Sequence, residues 1–379
     1  MALLHGVDLR APGDIAGSPV ERAFRQPLLL GVFLNLQDMR RSSIPNTSTW
    51  TFDYNAEVVK TADALGFELA FSRTQWLPKG GYDGDASLDA FIALGAMAAV
   101  TQNILLISTV HVLYGPWHPL HFAKFGATLD HISKGRWGVN IVTGHRAVEH
   151  EMFGGERIEH DRRYVLAGEF FDVVQRLWGE TENYSFEGQS PWRLKDAYVT
   201  PKPQFGRPLL VNATGSEAGI DFAAQYSDIV FITSPGGAHI DSALETLPAH
   251  TAAVRRAAEA RGRLVRTLIN PIIVCRDTER EAHDYARQIV ATSSRTGKQD
   301  YDSDAHAWRG RRDSRHQQGL GLGGNIEIIG TPAQVVEQLQ ALKATGIDGV
   351  QLSFHDFQPD LEHFGAHVLP LLKQAGLRL

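Results

Sequence analysis

Residues 28–34 read Leu28-Leu29-Leu30-Gly31-Val32-Phe33-Leu34, seven positions without a polar side chain. A strand facing water on one side would alternate, so a continuous apolar run of this length marks a strand buried on both faces, as in a parallel sheet covered by helices. A segment of helical period follows at Asp53 to Leu65, and then a second short run at Phe67 to Ser72. The rhythm recurs along the chain, with strands predicted at Ile104 to Thr109, Trp137 to Val142, Pro208 to Asn212, Asp228 to Ile232, Thr267 to Val274 and Gly349 to Ser353. Helices are predicted between and after them at Leu88 to Val100, Leu120 to His131, Asp161 to Trp178, Ser216 to Tyr226, His239 to Ala260, Thr278 to Ser293, Pro332 to Ala344 and around Leu361 to Gln374. Strict alternation of strand and helix requires parallel strands joined by crossovers. Eight such units close into a (β/α)8 TIM barrel, whereas a doubly wound sheet usually has fewer strands. The expected class is α/β, a TIM barrel with insertions.

At 379 residues, one barrel accounts for nearly the whole chain. The expected organisation is a polar arm over 1–27 and a single barrel domain over 28–379. Two segments break the repeat: 183–200, where Tyr184, Phe186, Trp192 and Leu194 alternate like an inserted hairpin, and 295–325, polar and rich in Gly and Arg, read as a lid loop. The balance of 37 Lys and Arg against 43 Asp and Glu, a formal charge of -6, argues against a partner that is nucleic acid or an anionic membrane. One cysteine, Cys275, permits neither an intrachain disulfide nor a thiolate cluster, and reads as a small buried hydrophobe. The arm carries Asp8, Arg10, Asp14, Glu21, Arg22 and Arg25 without a long apolar run, and no stretch reaches the roughly 20 apolar residues of a membrane span. The expectation is a cytoplasmic protein acting on a small molecule.

Chemistry in a barrel sits where the strands end. Arg73, Thr74, Gln75 and Trp76 follow the second strand, and the third delivers Thr109, His111, Tyr114, Trp117 and His118. Asn140, Thr143, His145 and Glu149 follow the fourth, Thr214, Gly215 and Ser216 the fifth, Thr233 and Ser234 the sixth, and His355 and Asp356 the eighth. Such a mouth is polar and aromatic but short of carboxylates, which disfavours a metal hydrolase. The pair His118 and His121 is read as polar residues at a helix start beside Pro119 rather than as a metal site, and no metal is expected. Ser216 opens a helix directly after Gly215, so it serves either as a simple N-cap or as part of an anion site built on the helix terminus, and both readings stand. A hydrolase elbow is one register short in Gly215-Ser216-Glu217-Ala218-Gly219. The run Gly319 to Gly324 matches Gly-x-Gly-x-x-Gly but does not follow a strand, so it is read as a hinge. Arg162 and Arg163 oppose the dipole at the start of their helix, a small cost that speaks for an anion-facing role, and the plain surface-arginine reading stands beside it.

Several of these segments together resemble the bacterial-luciferase-like flavin monooxygenases, in the branch that holds dimethylsulfone, pyrimidine and alkanesulfonate monooxygenases. The segments are Phe52-Asp53-Tyr54-Asn55, Thr128 to Ser133, Gly135 to Gly144, Glu159 to Tyr164, Pro201-Lys202-Pro203, Gly215 to Gly219, Gly330-Thr331-Pro332 and His363-Phe364-Gly365, spread from about Leu28 to Leu372. The resemblance implies a two-component enzyme that takes reduced FMN from a separate NAD(P)H-dependent flavin reductase and uses it with O2 to oxygenate a small sulfone or sulfonate, breaking a C–S bond. It also implies a homodimer or homotetramer. By position, Thr74 and Gln75 would line the flavin, Asn140 and Glu149 would hydrogen-bond near its ring or ribityl chain, and Arg163, Tyr164, Gly215 and Ser216 would hold its phosphate end. Asn140 and Thr109 would carry catalysis by positioning O2, and Trp76, His111, Trp117 and His355 would face the substrate. The alternatives are hydride transfer with a deazaflavin on the same fold and a barrel hydrolase using Ser216. Gly144-His145 and the segment Arg73 to Gly81 depart from the family pattern beside the reacting centre.

Overall fold

The computed structural model describes residues 9–37, 42–79, 86–115, 117–292, 321–322 and 326–379. In chain order the strands are β1 (Leu29–Phe33), β2 (Leu69–Ser72), β3 (Leu105–His111), β4 (Trp137–Val142), β5 (Tyr184–Glu187), β6 (Arg193–Ala197), β7 (Leu209–Ala213), β8 (Ile229–Phe231), β9 (Arg266–Ile269), β10 (Pro271–Cys275), β11 (Ile326–Gly330) and β12 (Gly349–Leu352). The helices are α1 (Pro19–Ala23), α2 (Phe52–Ala64), α3 (Ala90–Met97), α4 (Pro119–Ser133), α5 (Ala147–Met152), α6 (His160–Gly179), α7 (Glu217–Tyr226), α8 (Ile240–Glu259), α9 (Glu279–Ala291), α10 (Pro332–Ala344), α11 (Phe357–His363) and α12 (Leu369–Gln374). Eight strands close a parallel barrel in the order β1-β12-β9-β8-β7-β4-β3-β2. An antiparallel hairpin of β5 and β6 lies between α6 and β7.

The seventh strand differs from the expected Thr267 to Val274. It breaks at Asn270: β9 stays in the barrel, while β10 leaves it to pair with β11 in a separate two-stranded parallel sheet. Pro271 has no N–H to donate to a central ladder, and Asn270 Nδ2 turns to Ser353 Oγ at 2.9 Å instead. The helix expected at Leu361 begins earlier, at Phe357, and α5 is an additional short helix. Of the expected lid over 295–325, all but Gly321 and Leu322 lies outside the described residues; their N–H groups donate to Glu327 Oε1 at 2.7 and 2.8 Å.

Inside the barrel, side chains alternate between the interior and the helix layer, and the shear of an eight-stranded barrel staggers the levels by about one residue per strand. The strand registers therefore put Phe71, Asn140, Phe231 and Gln351 on one level, from alternate strands. Phe71 and Phe231 reach across from opposite strands and stack with centroids 5.5 Å apart, planes within 2°. Phe33 covers them at 5.0 and 6.3 Å and shares the next level with Thr109, Ala213 and Asn270, the floor of the mouth. The opposite end is closed by the N-terminal arm. Ser18 caps α1 by accepting from Glu21 N at 2.9 Å, which aims the buried Val20 at Leu29, Leu69, Leu105 and Leu209. The arm is polar in composition, yet it supplies the apolar plug of the barrel. No helix of the described residues is long and apolar enough to cross a membrane.

Candidate functional site

Adjacent strands β3 and β4 bring Thr109 and Asn140 into register at the C-terminal end of the barrel. Thr109 Oγ1 donates to the Ser72 carbonyl at 2.7 Å, and that carbonyl can only accept. With its one proton spent, the hydroxyl must accept from Asn140 Nδ2 at 3.0 Å, which fixes which way the amide points. Asn140 Oδ1 is left buried without a hydrogen-bond partner among the described residues, and the same holds for His111 Nδ1, Thr214 Oγ1 and Gln351 Oε1. Each such atom costs about 1–3 kcal/mol if nothing binds it. The first three stand on the C-terminal halves of barrel strands or just after them and mark that end of the barrel as built for a polar ligand, whereas the Gln351 amide packs over Gly31, below the Phe33 level.

A second part of the site lies where β7 turns into α7. Ser216 caps the helix, its Oγ accepting from Gly219 N at 3.1 Å, so the capping reading is realised. Gly219 has no room for a side chain, because a Cβ there would overlap Thr214 Oγ1 and come within 2.7 Å of Tyr164 Oη. Two hydroxyls thus converge on the first turn of a ten-residue helix, whose early N–H groups and positive dipole end favour an anion. Arg163, from the first turn of α6, is buried and donates from Nη1 to the Ile158 carbonyl at 2.6 Å.

The third part is an aromatic wall. Val110 and Val112 pack outward on the helix layer, so His111 points inward, above Thr109 on the same strand. Its ring stacks on Tyr114 at 4.8 Å; Tyr114 meets the edge of His150 at 4.6 Å and stacks on Phe153 at 5.5 Å; Phe153 in turn meets Trp76 at 5.1 Å. Gly144, at φ 77°, lets Tyr114 in: a Cβ there would overlap the Tyr114 ring. Burial, reinforced by the neighbouring His145, Arg146 and His150, lowers the His111 pKa to about 3, so its imidazole is neutral. The Tyr114 phenol is pushed up by burial and by the Glu149 charge, and stays protonated. Glu149 is fully buried, accepts from Trp76 N at 3.1 Å through Oε1 and faces Arg146 Nη1 at 3.6 Å through Oε2. Glu149 therefore ties the loop after β2 to α5.

The structure brings Asn140, Thr109, His111, Thr214, Tyr164 and Ser216 to one end of the barrel, with Gly215 in the turn before α7. Thr74 lies in the loop beneath that rim, its Oγ1 accepting from Ala90 N at 3.1 Å, and half-buried Gln75 follows it. Trp117 is placed elsewhere, in the helix layer against Phe91 at 5.0 Å and Phe122 at 5.6 Å. His355 stands beyond β12, 6.0 Å from Tyr285 and with Nε2 3.5 Å from Asn46 Nδ2. Two residues of this end, Asn270 and Arg146, and Gln351 just beneath it were not singled out from the sequence. Gln351 and Asn270 were legible only by following the inward parity of their strands, and Arg146 had no signal beyond its nearness to Glu149. His118 Nδ1 accepts from Leu120 N at 3.2 Å, a helix-start role, and no group of three or more metal-ligating side chains occurs among the described residues.

Comparison with known proteins agrees with this architecture. The family model described as luciferase-like monooxygenase matches residues 33–349. The chain is 31% identical over 348 residues to an FMNH2-dependent dimethylsulfone monooxygenase of Pseudomonas putida, covering 88% of this chain and 91% of that one. It is 30% identical over 346 residues to a pyrimidine monooxygenase of Pseudomonas savastanoi pv. phaseolicola, covering 85% and 89%. Among solved structures, a riboflavin lyase with modified FMN and riboflavin superposes with a TM-score of 0.78 at 23% identity over 93% of each chain, a likeness of fold. A barrel whose mouth is built as above and whose sequence matches the family model over most of its length belongs to the luciferase-like monooxygenases.

Proposed function

We propose that this chain is the oxygenating component of a two-component monooxygenase, receiving reduced FMN from a separate NAD(P)H-dependent flavin reductase and using it with O2 to oxygenate a small sulfone or sulfonate, with C–S cleavage. Reduced FMN fits the donor set. The flavin has an anionic tail, a polyol and a flat ring edged with donors and acceptors. The site offers, in turn, a helix N-terminus with the Thr214 and Tyr164 hydroxyls, and an aromatic-floored mouth with unpartnered buried acceptors. The observation that carries the reading is Thr214 Oγ1, a buried hydroxyl without a partner among the described residues at the start of α7, on the strand next to the one that carries the lone Asn140 Oδ1.

Bound reduced FMN supplies the two electrons that activate O2. Tyr164, Thr214 and the α7 terminus would hold the phosphate, with Arg163 and Ser216 behind them. Asn140 Oδ1, locked in orientation through Thr109 and Ser72, would accept from a ring N–H; because its direction is fixed before binding, no reorganisation is needed as charge develops. Phe33, Phe71 and Phe231 below and Tyr114 at the side would exclude water. A cytoplasmic homodimer or homotetramer belongs to the same reading. The test is anaerobic titration with reduced FMN followed by O2 in the presence of dimethyl sulfone or methanesulfonate, with products read by mass. Binding that distinguishes FMN from riboflavin, and substrate-dependent oxygen incorporation, are expected. Hydride transfer from a reduced deazaflavin without O2 would overturn it.

A further inference from the structure

We propose that His111 is a specificity-determining residue whose uncharged imidazole hydrogen-bonds the substrate above the Asn140 and Thr109 pair, and that it selects a neutral oxo compound over an anion of the same size. The inference rests on the oxygenase reading and narrows its substrate from sulfone or sulfonate to sulfone.

Three observations carry it. The first is placement: along β3 the inward residues are Leu105, Ile107, Thr109 and His111, the outward ones joining the helix-layer core, so the imidazole overhangs the Thr109 hydroxyl that orients Asn140. The second is the state of its nitrogens. His111 is 7% exposed, and Nδ1 makes no hydrogen bond among the described residues, although a buried imidazole nitrogen costs free energy if it stays unmade. Its ring is already fixed by the stack on Tyr114, so a partner arriving at the mouth meets a pre-aimed group. The third is the charge around it. Tyr114 stays protonated, and Arg146, from the start of α5, is opposed by Glu149. His145 and His150 flank the ring from the loop after β4 and from α5 and, with Arg146, resist its protonation. This wall therefore offers dipoles to a ligand. A sulfone oxygen or a carbonyl needs no more than a dipole, whereas a desolvated sulfonate facing a neutral imidazole finds, among the described residues of this wall, no free counter-charge of the kind that burial of an anion demands.

The test compares dimethyl sulfone with methanesulfonate on wild type, His111→Phe and His111→Gln, each supplied with reduced FMN and O2. Phe keeps the stack on Tyr114 but removes both nitrogens, and Gln restores a hydrogen-bonding group. Wild type should favour the sulfone at least tenfold in kcat/KM. His111→Phe should raise KM for the sulfone tenfold or more while its affinity for reduced FMN, read by fluorescence, stays within twofold, and His111→Gln should recover part of the loss. Preference for methanesulfonate, unchanged KM in His111→Phe, no recovery in His111→Gln, or oxidation of neither compound by wild type that binds reduced FMN would overturn the inference and leave the cofactor reading standing. A parallel fall in flavin affinity would reassign His111 to the cofactor. Failure of wild type to take up reduced FMN would instead overturn the reading beneath it.

Discussion

At the scale of single residues, Asn140 separates binding from turnover. Among the described residues its amide makes one hydrogen bond, to Thr109, and keeps one buried oxygen in reserve. Replacing it with Ala removes the pre-aimed acceptor without touching the α7 terminus or the aromatic floor. Asn140→Ala is expected to lose roughly a hundredfold in turnover, as removal of one preorganised polar group typically does. Flavin affinity should change far less, and equal losses in both would show that Asn140 only binds. Thr109→Val should give a smaller fall in the same direction, because it frees the amide to rotate. His111 makes a separate prediction about stability. Its folded pKa of about 3 lies below the unfolded value of 6.5, so between those pH values the unfolded chain binds a proton that the folded chain does not. Its contribution is therefore intact above pH 6.5 and is lost as the pH falls toward 3. Urea midpoints of wild type and His111→Phe, measured from pH 7.5 to 4.5, should converge or cross as acid is added. A gap that widens in wild type's favour on acidification would contradict the assignment of a neutral buried imidazole.

At the scale of elements, strands were the legible part of the chain, since burial on both faces leaves an apolar run that needs no partner to be recognised. β4 was expected and found at Trp137 to Val142, and the other barrel strands shifted by a residue or two at their ends. The seventh misled because Thr267 to Val274 is apolar on both sides of Asn270; the decisive fact, that β10 pairs with β11 outside the barrel, is a long-range choice the run itself does not encode. Site residues on strands could be found by parity, whereas Trp117 lies past the end of β3, where parity has lapsed, and its ring turned out to fill the layer between α3 and α4. At α7 the sequence left capping and anion binding open for Ser216; the structure shows that the cap is made, while the Thr214 and Tyr164 hydroxyls stand beside Gly219 in the first turn. The two roles can be separated. Ser216→Ala should cost about 1 kcal/mol of stability through the lost cap. Thr214→Val should leave stability nearly unchanged and weaken FMN about tenfold relative to riboflavin, which has no phosphate. Equal weakening of both flavins by Thr214→Val would remove the phosphate from the α7 terminus.

At the scale of the whole molecule, the barrel divides its labour between its two ends, as the fold generally does. His111 Nδ1, Asn140 Oδ1 and Thr214 Oγ1, buried without partners among the described residues, lie at the C-terminal mouth, while the N-terminal end is fastened by α1 and by Arg378. Val20 plugs the interior, and Arg266 donates to the Phe24 carbonyl at 3.0 Å with its guanidinium 3.8 Å over the Phe24 ring. Beside them Arg378, next to the last residue, donates to both carboxylate oxygens of Glu68 at 2.7 Å and to the carbonyls of Leu28 and Gly66 at 2.8 and 2.7 Å. Glu68 Oε2 also accepts from Leu30 N at 2.9 Å, so one buried ion pair joins the C-terminus to β1 and the turn before β2. Burial raises the Glu68 pKa despite the arginine, which shows how much desolvation that pair must offset. Arg378→Met keeps an apolar stem but strands the carboxylate, and should destabilise the fold by about 3–5 kcal/mol, the usual effect of breaking a buried pair from one side. The double variant Arg378→Met with Glu68→Gln should recover part of that loss, because the remaining amide carries no charge to desolvate. Since this staple lies at the far end from the mouth, affinity for reduced FMN measured well below the unfolding midpoint should match wild type in both variants. If Arg378→Met instead weakened flavin binding at a temperature where the fold is intact, the two ends of the barrel would be coupled, and stability and function could not be assigned to opposite faces.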